Sequence, residues 1–171
     1  MPSSDDKPKK RSLELDASMY ERGFQPVQKA WFLGIGIDDY EQNDFADLSN
    51  AVKDVEAVAD LLLTRYDHEP EQVTIIKNEE ATEAGIMKEF ERLAKEVSKD
   101  DKLIIYYSGH GHVKKVGLRE WGFWIPYDAQ KGNSGSYIPN STIRDYLDAI
   151  PSRHLLLISD SCFSGSLLQK G

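Results

Sequence analysis

Short apolar runs alternate with amphipathic helical segments, and this alternation limits the possible fold more than any other feature of the chain. The first run, residues 30–37, contains two glycines and is too short for a helix, so it is predicted to be a buried strand. From Asn50 onward apolar residues recur every three or four positions, which predicts an amphipathic helix. The pattern repeats, with strands predicted from Val73, Lys102 and His154 and helices marked by residues 86–97 and 143–147. Alternating strands and helices pair in parallel through right-handed crossovers, which predicts an α/β three-layer sandwich with a mostly parallel central sheet.

The length of 171 residues fits one domain. Residues 1–27 are polar without clear periodicity and are predicted to be a flexible leader, and residues 28–171 are predicted to form the folded domain. No apolar stretch is long enough for a membrane span or a secretory signal, so no membrane partner is expected. The single cysteine cannot form a disulfide within the chain, which favours a reducing, cytoplasmic location.

The net charge of −8 argues against a general nucleic-acid-binding surface. One basic cluster, residues 7–11, lies in the leader, and most such runs are simply solvated. No phosphate-binding glycine motif occurs, so a nucleotide-binding function has little support. An acidic body suits a cationic ligand or substrate.

Two motifs that carry reactive side chains follow predicted strands. His110 lies between glycines after the strand that begins at Lys102, and Cys162 follows the strand that begins at His154. Ligands of parallel sheets bind at the carboxyl ends of strands, so the two side chains are expected at a common edge. An imidazole there stabilises the thiolate that makes a cysteine strongly nucleophilic. The backbone N–H groups of Gly111 and Cys162 are candidates for stabilising the oxyanion that forms during attack on a peptide carbonyl.

The sequences Tyr-Ser-Gly-His-Gly at residues 107–111 and Asp-Ser-Cys-Phe-Ser-Gly at residues 160–165 resemble motifs of the caspase-like cysteine peptidases. The resemblance is stronger to metacaspases and bacterial caspase homologues, and it covers residues 29–171. The cysteine lies 52 residues after the histidine, which matches the spacing known for caspases. The resemblance implies a cysteine endopeptidase with a Cys162–His110 dyad. His112 is a competing base, but the family pattern selects the histidine between the two glycines.

The residue two positions before the cysteine departs from the caspase pattern. True caspases carry glutamine there, whereas this chain has Asp160. The resemblance to metacaspases implies an acidic substrate pocket that is completed by Asp54 on the first helix and lined by Ser108. Because a cation between two carboxylates is favoured over a neutral or anionic group, cleavage after Arg or Lys is predicted. Asp54 also has a structural interpretation, since an acidic residue near a helix start interacts favourably with the helix dipole.

No cofactor is expected from the sequence. Calcium-dependent metacaspases carry an acidic cluster after the histidine motif, whereas residues 113–120 contain one carboxylate and three cations. Calcium needs several oxygen ligands, so calcium dependence is not predicted. Asp38, Asp39 and Asp44 form a second possible metal site, but acidic residues that follow a strand are usually solvated, and no metal is expected there.

The caspase-like fold continues with further strands beside the cysteine strand, so the resemblance implies that this chain is a large subunit. Its expected partner is the small subunit from the C-terminal part of the same precursor. The basic residue Lys170 suggests maturation by proteolysis close to that position, although an arbitrary chain end there would look the same. The alternative function is a catalytically silent signalling or binding module with a caspase-like fold.

Overall fold

The computed structural model of the chain describes residues 28–42, 45–66 and 68–161. The predicted leader at residues 1–27 and the segment that begins at Cys162 lie outside the described residues. In chain order the described elements are β1 (Ala30–Gly36), α1 (Ala51–Arg65), β2 (Val73–Lys77), α2 (Glu83–Glu96), β3 (Lys102–Ser108), β4 (Gly111–Val116), β5 (Arg119–Trp124), β6 (Ile138–Pro139), α3 (Asn140–Ala149) and β7 (His154–Asp160).

Four parallel strands form the central sheet, in the order β2-β1-β3-β7. Helix α1 connects β1 to β2, and helix α2 connects β2 to β3. Within the described residues, no helix has both the length and the apolar character needed to cross a bilayer. The predicted α/β fold with a mostly parallel central sheet is confirmed.

Strand β1 is buried along its whole length because helices cover both of its faces. On one face Leu33 belongs to the larger hydrophobic core, together with Ile86 of α2 and Ile143 of α3. On the other face Phe32 packs in a smaller cluster with Val55 of α1. Side chains of a strand alternate between its faces, so this division gives the three layers of the sandwich.

Two glycines of β1 allow α1 to pack directly against the strand. A Cβ atom on Gly34 would lie 2.4 Å from Cγ1 of Val55, and one on Gly36 would lie 2.9 Å from Cα of Val52. Neither position has room for a side chain, which is a common reason for glycine within a strand. The close packing holds the first turn of α1 beside the carboxyl ends of the strands.

The strand that leads to Cys162 is less buried than the sequence predicts. The apolar run 155–158 favours a buried strand, whereas half-buried and exposed residues alternate along β7. Leu156 and Ile158 are 52% and 40% exposed. The reason is that β7 is an outer strand of the described sheet, and α1 packs against β1, β2 and β3 on this face. A continuous apolar run does not reveal whether its strand is central or at an edge.

A second, antiparallel sheet follows His110 and is formed by β4, β5 and β6. Its first two strands make a hairpin, and Gly117 supplies the positive φ of 62° at the turn. Phe123 and Trp124 are buried near the base of the hairpin, whereas Trp121 is half exposed. The hairpin begins directly after the histidine and therefore helps to fix its backbone.

Candidate active site

An open cleft of about 390 Å³ lies at the carboxyl edge of the central sheet. It is lined by residues 48–51 at the start of α1, by residues 108–110 after β3, and by Asp160 and Ser161 at the end of β7. In parallel α/β sheets this edge is where ligands bind. The cleft brings together three of the residues singled out from the sequence, which are Ser108, His110 and Asp160.

Ser108 and Asp160 are direct neighbours on adjacent strands, since they occupy paired positions in the β3–β7 register. Ser108 is buried and Asp160 is exposed. The backbone N–H of Gly109 also donates to the carbonyl oxygen of Asp160, at 3.4 Å. The pairing fixes a hydroxyl and a carboxylate side by side on one wall of the cleft.

The imidazole of His110 is held by a backbone carbonyl. Its Nε2 lies 2.7 Å from the carbonyl oxygen of Ala46. A carbonyl only accepts hydrogen bonds, so Nε2 carries a proton in this contact. In the neutral ring this leaves the lone pair on Nδ1, which is then the nitrogen able to take a proton from a thiol. Ala46 was not predicted, because every residue has a carbonyl and the sequence does not mark the one that is used.

Two tyrosine hydroxyls hold the backbone of the same histidine. The N–H of His110 donates to the Tyr40 hydroxyl at 2.8 Å, and the Tyr107 hydroxyl donates to the His110 carbonyl at 2.6 Å. Both tyrosines are buried, and burial raises the pKa of each phenol above its ordinary value. Their protonated forms therefore persist through the neutral range. Neither residue was predicted from the sequence to act on His110, although the position of Tyr40 shortly after a buried strand was a usable signal.

Asp54 lies in the first turn of α1, one turn beyond Ala51 of the cleft wall. Its side chain is exposed and is not part of the cleft lining. Its negative charge nevertheless acts on the same residue as the charge of Asp160, namely Tyr106. Burial raises the pKa of the Tyr106 phenol, and the negative charges of Asp160 and Asp54 raise it further, while a hydrogen bond with the Ser108 hydroxyl opposes the shift. The two carboxylates thus act on one point beside the cleft.

Asp38 has a structural role that the sequence did not suggest. Its carboxylate accepts hydrogen bonds from the first N–H groups of α1, at 2.8 Å from Ala51 and 3.3 Å from Val52. The side chain of Asn50, which precedes the helix, makes no capping hydrogen bond. A distant carboxylate thus replaces the usual local cap and also interacts favourably with the positive end of the helix dipole.

No group of three or more His, Cys, Asp and Glu side chains with the geometry of a metal site occurs in the described part of the chain. Asp44, one member of the aspartate set considered above, lies outside the described residues. Asp39 accepts a hydrogen bond from the Asn78 amide at 3.1 Å.

Of the remaining predicted residues, the structure describes Gly111 and His112 but not Cys162. Gly111 begins β4 and pairs with Trp124 across the hairpin. His112 is exposed, its ring packs near Phe123 and Tyr137, and it is not among the residues that line the cleft. Cys162 lies outside the described residues, but Ser161, the residue directly before it, lines the cleft together with His110.

Residues 28–170 match the family described as metacaspase, peptidase C14 domain. Metacaspase-4 of Arabidopsis thaliana is 28% identical over 156 residues, which cover 84% of this chain and 35% of that protein. Metacaspase-1 of Eremothecium gossypii is 26% identical over 152 residues, which cover 78% of this chain and 31% of that protein. The chain therefore spans about a third of the length of these relatives.

A solved structure supports the same architecture. The crystal structure of a Geobacter sulfurreducens protein superposes with a TM-score of 0.64 at 22% sequence identity. The match covers 79% of this chain and 51% of that one. At this identity the likeness concerns the fold.

Proposed function

Because the chain belongs to the metacaspase family of C14 cysteine peptidases, we propose that it is the catalytic part of an endopeptidase that cleaves after Arg or Lys. Cys162 is the nucleophile and His110 the base. The observation that carries the proposal is the contact of His110 Nε2 with the Ala46 carbonyl, in a cleft that Ser161 also lines. This contact fixes the tautomer that a thiol partner needs.

The proposed reaction begins when Nδ1 of His110 takes the proton of the Cys162 thiol. The thiolate attacks the carbonyl carbon of the peptide, and the imidazolium then gives its proton to the leaving amine. Water hydrolyses the resulting thioester and regenerates the thiol. The backbone N–H groups of Gly111 and Cys162 are proposed to stabilise the oxyanion.

The proposed preference for Arg or Lys rests on the charges around the cleft. Asp160 lies on its wall beside the Ser108 hydroxyl, and Asp54 lies one helical turn from the residues at its rim. The effect of both carboxylates on the pKa of Tyr106 supports a negative potential in this region. A guanidinium or ammonium group placed there gains charge-assisted hydrogen bonds, whereas an aspartate side chain is repelled.

The small subunit is proposed as a partner that covers the exposed face and free edge of β7. Within the described ranges, β7 pairs with β3 alone in the central sheet, so its outer backbone groups are available to a further strand. The exposed Leu156 and Ile158 lie on one face of β7 and are suited to packing against an added apolar layer. We propose that this partner comes from the C-terminal part of the same precursor and that proteolysis at basic sites releases it.

A profile of fluorogenic peptides varied at the cleaved position, measured with the full-length product of the gene, tests this function. Turnover is expected for Arg and Lys, and it is expected to be lost in Cys162→Ala and to fall by about 10³-fold or more in His110→Ala. His112→Ala is the matched control and is expected to keep turnover close to the wild-type value, because its ring packs on the hairpin. A preference for Asp, or turnover that survives Cys162→Ala, contradicts the proposal. The intact mass of the same protein with and without Cys162→Ala tests self-processing, which is wrong if the variant is still cut.

A further inference from the structure

Side-chain contacts as well as backbone hydrogen bonds hold the backbone and the ring of His110. Its N–H donates to the Tyr40 hydroxyl, and its carbonyl accepts from the Tyr107 hydroxyl and, at 3.1 Å, from the N–H of Ile125. Its Nε2 contacts the Ala46 carbonyl. The histidine therefore has a partner for each of its backbone polar groups as well as for one ring nitrogen.

Tyr40 differs from the other partners because it contacts both the backbone and the ring of the histidine. Its ring centroid lies 5.1 Å from that of His110 at an interplanar angle of 34°. Phe45 completes an aromatic group, with its centroid 5.5 Å from Tyr40 and 6.0 Å from His110. Such distances are within the favourable range for aromatic pairs. Tyr40 is thus able to set the position of the main chain and the tilt of the imidazole together.

The glycine before the histidine fits the same arrangement. A Cβ atom on Gly109 would lie 2.8 Å from the Tyr107 hydroxyl oxygen and 3.3 Å from that of Tyr40. A side chain at this position would push the two hydroxyls away from the backbone groups that they bind. The absence of a side chain at Gly109 is therefore a condition for the two-tyrosine contact with His110.

The two phenols hold opposite backbone groups of His110. Tyr107 is fully buried and stacks on Trp124 with ring centroids 4.1 Å apart, so its own position is tightly fixed. Burial raises the pKa of Tyr40, although its hydrogen bond with the His110 N–H acts in the opposite direction. Trp124 and Tyr107 thus connect the hydrophobic core to the His110 carbonyl, while Tyr40 holds the His110 N–H.

We propose that Tyr40 is a positioning residue that holds His110 in the orientation in which Nδ1 serves Cys162. The inference rests on the proposed Cys162–His110 dyad. Tyr40→Phe keeps the ring and its packing but removes the acceptor of the His110 N–H. Without this acceptor the half-buried N–H of His110 is left unpaired, which favours movement of the backbone around His110. An imidazole that is held less firmly stabilises the Cys162 thiolate less well.

Alkylation of the thiol measures this effect without a substrate. Cys162 is the only cysteine of these 171 residues, so the part of iodoacetamide modification that is absent in Cys162→Ala reports its ionisation when the rate is measured as a function of pH. In the full-length wild-type protein the midpoint is expected well below the usual thiol value of about 8.5. In Tyr40→Phe the midpoint is expected to rise by about 0.5 unit or more, and kcat for an Arg peptide to fall roughly tenfold with KM nearly unchanged. Tyr107→Phe, which removes the donor to the His110 carbonyl, is expected to shift the midpoint in the same direction.

Tyr146→Phe is the matched control, because this tyrosine packs against the same hydrophobic core but stacks on Phe90, and not on Tyr40 or His110. It is expected to leave the midpoint and kcat unchanged. Circular dichroism and the melting temperature establish that each variant is folded. A folded Tyr40→Phe protein with the wild-type midpoint and kcat overturns the inference, and so does an equal shift in Tyr146→Phe. If instead the wild-type midpoint equals that of His110→Ala, the dyad itself is wrong, so the two failures are distinguishable.

Discussion

Two aspartates at opposite edges of the central sheet have the same side chain and very different surroundings. Asp101, just before β3, is 2% exposed, and its carboxylate accepts hydrogen bonds from Lys29 N, Trp31 Nε1 and Ser98 N at 3.0, 3.1 and 2.9 Å. Asp160, at the end of β7, is exposed, and its carboxylate makes no ion pair with any described residue. The first carboxylate holds the fold together through three hydrogen bonds, whereas the second forms no ion pair with the residues that the structure describes.

We infer from this difference that residues at the amino edge of the sheet stabilise the fold, whereas residues at its carboxyl edge serve substrate binding. At the amino edge Asp101 ties β1 to the turn before β3, and its N–H partners would be left unpaired without it. At the carboxyl edge neither Asp160 nor Asp54 forms an ion pair with another described residue, and both charges act on Tyr106 beside the cleft. Substitutions at the two edges are therefore expected to change different quantities.

The largest expected effect is on catalysis at the carboxyl edge. In the full-length protein Asp160→Asn is expected to lower kcat/KM for Arg and Lys peptides about 100-fold, equivalent to ~2.7 kcal/mol, because a carboxylate partner of the substrate cation is lost. Asp54→Ala is expected to act in the same direction. The melting temperature is expected to stay nearly constant in both variants, since neither side chain is buried. Peptide kinetics and thermal melts check both expectations.

Asp60→Asn is the control for Asp160→Asn and Asp54→Ala, because Asp60 is an exposed aspartate farther along α1. It is expected to change kcat/KM less than about twofold, as a more distant and screened charge should. An equal loss in all three variants would mean that overall charge, and not a local pocket, decides the preference for basic residues.

The next effect is on stability at the amino edge. Asp101→Ala is expected to lower the free energy of unfolding by about 3 kcal/mol, because three buried or half-buried N–H donors lose their acceptor. Activity per folded molecule is expected to stay the same. Asp100→Ala is the control, since the neighbouring Asp100 pairs with the exposed Arg153 at the surface and should contribute only about 1 kcal/mol or less. Urea denaturation of both variants checks the difference.

A smaller effect concerns pH. Burial alone would raise the pKa of Asp101, but the hydrogen bonds from Ser98, Trp31 and Lys29 lower it overall. A carboxyl whose pKa is lower in the folded state stabilises the fold above its unfolded pKa of about 3.9, and this contribution is lost as the pH falls toward the folded value. The difference in unfolding free energy between wild type and Asp101→Asn is therefore expected to shrink below about pH 4. A difference that is constant with pH would contradict the assigned hydrogen bonds.

The smallest expected effect is that of a chelator. We predict that EDTA leaves peptide turnover unchanged, because Asp38, the nearest described carboxylate after β1, is engaged in capping α1. Turnover measured with EDTA and then with added calcium checks this prediction. Loss of activity with EDTA and recovery with calcium would show that a metal acts at this edge after all.

The fold could be predicted from the sequence because its buried strands and amphipathic helices each show a characteristic spacing of apolar residues. The apolar run of β1, buried on both faces, and the spacing of Ala51, Val55, Ala59 and Leu62 on α1 were readable without coordinates. The sequence was also sufficient for the family, since two short motifs at the right separation mark it. The exposure of β7 was predicted wrongly, because a position at the edge of a sheet depends on strand order and not on local composition.

The parts of the site that the sequence did not reveal are those made by backbone atoms and distant contacts. The Ala46 carbonyl carries no sequence signal, and the capping of α1 by Asp38 bridges a loop whose path is set only in the folded chain. The roles of Tyr40 and Tyr107 depend on distances of a few ångströms that no periodicity encodes. Fold-level patterns were thus predictable, whereas the positioning of His110 required the structure.

The assignment of Cys162 and His110 is tested most directly by labelling Cys162 with electrophilic peptides and measuring the intact mass of the full-length protein. We expect a single covalent addition from an Arg-containing peptide, little from its Asp-containing counterpart, and strongly reduced labelling in both His110→Ala and Asp160→Asn. Equal labelling by the two peptides, or labelling that does not depend on His110, would contradict the assignment of this edge as the active site of a peptidase for basic residues.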